Sequence, residues 1–450
     1  MSAAPAGRPP RSLLFVGAHT LVSSVLAIGL GIIAGVIVAR VFGPAQKGAY
    51  NLVLATAELL AMIVGLALPA GVTYVLARGL AAPRALLARL VPGVVVQIAV
   101  AALVLGIAVQ TPLAGALLPP APAWAWVAVL LLVGLNQLVA LGRAVLVGQQ
   151  RLPRANTIEV VERLVMLVLL LGMWWLVAAG TAPTAGWLLG LQIAMVLLVA
   201  GLLLRELVPV LLEPGGGSAG VRAALGFAIP AYGANLVQFL NYRLDVFFVA
   251  SYRGTADVGI YTLAVSLAQM LWLFSAAAGQ ALLPHVAVHG GPGTATTAAV
   301  AARLALWASV AGACGLALVG WVAVPLLYGA AFVAAVGALY WLLPGVAFFA
   351  VANVLGSYIA GVGKPQLNML VAAIGLVITV VGDLVLIPRL GIAGAAIASS
   401  VSYVATTIAI IVVFVRLSGV PLREVLLLQA ADRAALRGFV VQRRARAGDR

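Results

Sequence analysis

Apolar runs long enough to cross a bilayer follow one another along almost the whole chain, and they constrain its fold more than any motif does. From Leu13 to Ala39 there is no Asp, Glu, Lys or Arg, and a spanning helix needs about 20 mostly apolar residues. Across 450 residues, 64% are hydrophobic and 8% charged, with a mean hydropathy of +1.18. A water-facing surface cannot be assembled from so few charges. The sequence therefore predicts an all-α, polytopic membrane protein.

Loops, Pro/Gly punctuation and charges place twelve spans, at about 13–39, 48–70, 86–110, 123–148, 155–179, 184–204, 222–250, 257–284, 299–327, 333–360, 366–387 and 392–415. The N-terminal "MSAAPAGRPPRS" is basic, and the run after it is too long for a signal-peptide core, so it reads as the first span. The net charge is +15, and every basic residue except Lys47 and Lys364 is arginine. That balance would suit nucleic acid, but the charges fall on loops in the pattern that sets membrane topology. One side holds Arg78, Arg84, Arg89, Arg143, Arg151, Arg154, Arg205, Arg222 and Lys364, with more arginines in the tail. The other side holds Arg40, Lys47, Arg253 and Arg389, and its loops "TPLAGALLPPAPA" and "AGTAPTAG" are uncharged. The asymmetry predicts a multi-pass protein of the inner (plasma) membrane with both termini cytoplasmic. The amphipathic, Arg-rich tail predicts contact with anionic membrane lipids.

An internal repeat organises the spans. "GPAQKGAYNLVLATAELL" (43–60) aligns with "GTADVGIYTLAVSLAQML" (254–271) at an offset of 211, with seven of eighteen positions identical. Gly180 falls on Gly391 and Arg205 on Arg416 at the same offset. The expected parts are a cytoplasmic N-terminus (1–12), a six-helix bundle (13–205), a Gly-rich cytoplasmic linker (206–221), a second six-helix bundle (222–416) and a basic cytoplasmic tail (417–450). Six is even, so the halves enter the membrane in the same direction, as a parallel repeat. Repeats of this kind recur in transporters that open to either face in turn.

With these segments in view, the chain resembles the polysaccharide flippases of the multidrug/oligosaccharidyl-lipid/polysaccharide exporter superfamily. The resemblance rests on the paired "G-x-x-x-x-G-x-Y" at Gly43–Tyr50 and Gly254–Tyr261, on "YRLDVFFVASY", "ALLPHVA" and "AGVGKPQLNM", and most specifically on "LIPRLGIAGAAIASSVSY" (386–403). It implies an alternating-access flippase for undecaprenyl-pyrophosphate-linked oligosaccharide in surface polysaccharide assembly. Proton or sodium coupling and a partner polysaccharide polymerase are further expectations. Asp383 stands where the family often has Asn.

Charges inside spans are functional hypotheses by default. In the seventh span, Asn235, Gln238, Asn241, Tyr242 and Asp245 share a face about 120° wide, while Arg243 points about 160° away from Asp245. The stripe is the expected cavity face, and Arg243 the expected anion binder, because a guanidinium fork matches phosphate oxygens. In the fifth span Glu159 and Arg163 are four apart and can pair, leaving a role for Arg163 in the cavity open beside interfacial snorkelling. Glu58, Glu162 and Asp383 are candidates for ion coupling, and His19 gives the first span a mildly polar face. No cluster has metal-ligand spacing, no phosphate-binding "GxxxxGK[ST]" occurs, and no cofactor is expected. Two other readings remain open: multidrug/cation antiport, and an integral membrane polymerase or ligase, which would need a larger outer domain than any loop here supplies.

Overall fold

The structure, a computed structural model, describes residues 10–111, 124–212 and 220–429. The first residues of the expected N-terminal segment, the middle of the linker and the Arg-rich end of the tail lie outside the described residues. Every regular element among those described is helical, because helices satisfy their own backbone groups in hydrocarbon. In chain order these are α1 (Pro10–Gly65), α2 (Leu68–Ala77), α3 (Pro83–Val109), α4 (Trp124–Gly148), α5 (Leu152–Ala178), α6 (Ala185–Leu212) and α7 (Gly220–Arg253). There follow α8 (Thr255–Gln269), α9 (Trp272–His289), α10 (Pro292–Tyr328), a 3₁₀ turn (Ala330–Phe332), α11 (Ala334–Gly361), α12 (Pro365–Leu390), α13 (Ile392–Ser418) and α14 (Leu422–Leu426).

All twelve expected spans fall on these helices. Among the described residues nine helices are long and apolar enough to cross a bilayer, and the pair α8–α9 makes a tenth across a 51° bend. The break at Gly43 divides α1 into two helices, and α7, 34 residues long, carries a polar stripe that keeps it out of the apolar set. Three expectations need correction. No loop separates the first two spans: a single residue, Gly43, leaves the helix at φ 68°, ψ 176°. The second span stops at Leu66 and Ala67, both left-handed (φ 49° and 51°), and resumes as α2. Pro69 lacks the N–H that would continue the ladder there. The eighth span is not continuous either: between α8 and α9 the Leu271 carbonyl takes a hydrogen bond from Ser309 Oγ at 3.3 Å.

By its contacts the chain forms two units. One comprises the described residues up to Thr262 with Val324–Phe332, the other Leu263–Ala323 and the residues from Val333 onward. In the first, two apolar clusters hold the helices. One, around Val53, Ala101, Leu132, Leu170 and Leu188, joins α1 and α3–α6. The other, around Val72, Leu86, Val145, Leu203 and Ala224, joins α2, α3, α4, α6 and α7. In the second unit α11 lies against α9 and α13, and α12 lies on α13. Trp272, Phe349 and Tyr403 stack there with ring centroids 5.4, 5.6 and 5.0 Å apart. The chain after α13 is strapped to α10: Arg303, 2% exposed, donates to the Glu424 carbonyl, and Trp307 Nε1 donates to Leu426 O at 3.0 Å.

The repeat is written into the backbone. The left-handed glycines Gly43 and Gly254, Gly79 and Gly290, and Gly180 and Gly391 are each 211 positions apart. Within the first unit, matching positions also touch. A Cβ on Gly48 would lie 1.7 Å from Thr255 O, and one on its counterpart Gly259 would lie 2.0 Å from Pro44 O. Asn51 Nδ2 donates to its counterpart, Thr262 Oγ1, at 2.7 Å. Lys47, 8% exposed, adds bonds to Gly259 O (3.1 Å) and Thr262 Oγ1 (3.2 Å) that the other copy, with Val258, cannot return.

Candidate functional site

A cavity of about 720 Å³ opens inside the first unit, walled by α1, α2 and α4–α7. It is polar where the surrounding helices are apolar. Glu58 enters from the second part of α1, and Asn136, Gln137 and Arg143 from α4. Glu159, Glu162 and Arg163 enter from α5, Gln192 from α6 and Asn235 from α7. The α5 trio shares one face because residues three and four apart are neighbours on a helix. The α4 set follows the same rule: Asn136, Ala140 and Arg143 are spaced i, i+4, i+7.

Hydrogen bonds fix the walls. Where α1 ends, its last carbonyls have no partner within the helix. Tyr232 OH donates to one of them, Ile63 O, at 2.8 Å, and Gln137 Nε2 adds a bond to Ala61 O at 3.0 Å just before them. Tyr50 OH donates to Gln192 Oε1 at 2.9 Å and ties α1 to α6. These groups lock the broken helix end beside the cavity, where backbone polar groups would otherwise be exposed to hydrocarbon.

The charges arrange themselves in part as pairs. Arg143 donates to Glu162 Oε2 at 2.9 Å, and Arg243 lies 3.5 Å from Glu58 Oε2 with both side chains about half exposed (40% and 43%). Arg243 thus pairs with a carboxylate on α1 and not with Asp245, and it is not itself among the residues that line the cavity. Glu159 and Arg163 do not form the expected i,i+4 pair: neither makes an ion pair or hydrogen bond among the described residues. Exposed pairs of this spacing gain only about 0.3–0.5 kcal/mol, too little to immobilise two long side chains.

The polar stripe of α7 divides. Asn235 lines the cavity. Asn241 and Asp245 do not: they are 2% and 3% exposed. Asp245 Oδ2 accepts from Tyr261 OH at 2.5 Å and Oδ1 from the Val246 N–H at 2.8 Å, so its carboxylate fastens α7 to α8. Gln238 and Tyr242 hydrogen-bond each other one turn apart. His19 is half-buried and lies 3.4 Å from Ser23 Oγ on its own helix. Asp383 is wholly buried in α12 of the second unit and does not line this cavity. Arg143, Asn136, Gln137 and Gln192 were not expected here. Reading the fourth span at helical spacing would have found the first two of these on one face with Ala140. Among the described residues no three His, Cys, Asp or Glu side chains are grouped to hold a metal ion.

Comparison with known proteins places this architecture. A family described as Polysaccharide biosynthesis protein matches residues 17–288, and one described as MatE matches residues 230–385. No curated protein matches in sequence. Among solved structures, the lipid II flippase MurJ in an inward closed conformation superposes with a TM-score of 0.70 at 13% identity, covering 92% of this chain and 89% of that one. An inward-facing multidrug resistance MATE family transporter of the MOP superfamily gives 0.64 at 14%, covering 89% and 98%. The MATE multidrug transporter DinF-BH gives 0.61 at 16%, covering 95% and 100%. At these identities the likeness is one of fold, a helical membrane fold with two repeated lobes.

Proposed function

Because this chain belongs to the polysaccharide biosynthesis protein family, we propose that it carries a lipid-linked oligosaccharide across the inner membrane by alternating access. The cargo in this reading is an undecaprenyl-pyrophosphate-linked glycan bound for surface polysaccharide. The observation that supports it best is the cavity itself. Glu58, Arg143, Glu159, Glu162 and Arg163 sit inside a bundle of spanning helices, where charge is tolerated only around a wet or ligand-filled space. The sugar head and its pyrophosphate occupy that space while the polyprenyl tail stays in lipid. Guanidiniums offset the cost of taking a pyrophosphate out of water.

A second reading, multidrug or cation antiport, draws on the MatE match and on the three cavity carboxylates. Deleting the gene in its host and weighing the lipid-linked intermediates separates the two. Build-up of a finished repeat unit on its lipid is the expected result. An unchanged lipid pool with lost drug resistance would establish antiport instead.

A further inference from the structure

A site for anions alone has no use for a cavity carboxylate left without a cation. Glu58, Glu159 and Glu162 line it against Arg143 and Arg163, with Arg243 standing beside Glu58. Glu162 is held by Arg143 and Glu58 by Arg243. The remaining two, Glu159 and Arg163, face the same cavity from α5 and make no ion pair or hydrogen bond among the described residues. They are the charges left for a ligand, and they are opposite in sign.

Building on the flippase reading above, we propose that the head group carried here bears a primary ammonium as well as its anionic group, with Glu159 accepting from the ammonium and Arg163 donating to the anion. Four residues of helix rise about 6 Å, so the two side chains leave α5 about one turn apart on the same face. The guanidinium offers a planar fork to phosphate oxygens. A carboxylate can only accept, so toward a purely anionic head group Glu159 would be a repulsive neighbour. An ammonium on the glycan turns that repulsion into a charge-assisted hydrogen bond. Glycans lacking the amine, or carrying it acetylated, leave Glu159 desolvated and alone, which makes the pair a selectivity device.

The test uses the full chain in lipid nanodiscs and three synthetic probes: bare polyprenyl pyrophosphate, and two polyprenyl-pyrophosphate disaccharides differing only in a free or N-acetylated amine. Affinities come from native mass spectrometry. The free-amine probe is expected to bind about tenfold more tightly than its acetylated twin, as one charge-assisted hydrogen bond would give. Glu159→Gln, nearly isosteric, brings the two disaccharides to equal affinity. Arg163→Gln weakens all three probes by a similar factor. Equal binding of both disaccharides to the unmodified protein overturns the inference, as does a preference that survives Glu159→Gln. In either case binding of the bare pyrophosphate keeps the flippase reading standing. Failure of all three probes to bind overturns both.

Discussion

Arg243 and Asp245 are two residues apart on α7, and a helix that turns 100° per residue sends them to opposite tasks. Arg243 reaches across to Glu58 at 3.5 Å, half exposed beside the cavity. Asp245 turns inward and accepts from Tyr261 at 2.5 Å, 3% exposed. Their mutants should differ accordingly. Arg243→Ala removes the cation beside Glu58 and leaves that cavity carboxylate unmatched, so transport of labelled lipid-linked glycan into vesicles should fall at least tenfold at normal protein levels, with Arg243→Lys retaining part of it. Asp245→Asn should act on folding: losing a hydrogen bond to a charged group costs about 1.5–3 kcal/mol. A lower melting temperature in detergent, with near-normal transport per folded molecule, is the expected pair of readouts. Periodicity was enough to predict that these two side chains diverge. It could not tell which direction held the cavity, because an apolar neighbour and a lipid tail look alike in sequence. For the same reason Arg143, which reads as a loop charge, is found paired with Glu162 inside the site.

At the scale of elements, the helices are interrupted where their backbone groups find outside partners. The break at Leu66–Ala67 was legible in Pro69. The bend between α8 and α9 was not, since no Pro or Gly marks it and the Leu271 carbonyl at the bend is met by Ser309 from a separate helix. The strap after α13 has the same logic: Arg303 and Trp307 supply donors to the C-terminal carbonyls of α14, where helix dipoles favour positive charge. Arg303→Met removes that charge while keeping the bulk of the stem. It should free the segment around Leu422–Leu426, and limited proteolysis should then cut between residues 418 and 429 several-fold faster than in the parent.

For the whole molecule, length, hydropathy and the 211-residue offset carried most of what could be read in advance: the helical class, the membrane-spanning character and the repeat. They did so because a bilayer imposes length and polarity on each span independently of its neighbours. The basic bias of one set of loops makes a prediction about orientation. Reporter fusions at residues 8 and 450 should be active only in the cytoplasm, and one inserted at residues 181–184 only outside. The opposite pattern would reverse the direction in which the cavity is loaded.

The contact between Gly48 and Gly259, with Asn51 bonded to Thr262, has a bearing on how such a chain could arise. Each residue meets its own counterpart, so a lone ancestral half bearing this glycine would have docked onto an identical copy about a two-fold axis, as closed homodimers do. Gene fusion would then have joined partners already fitted to each other. It also released the two copies to diverge, and the lysine beside one glycine and the valine beside the other are what that freedom left behind.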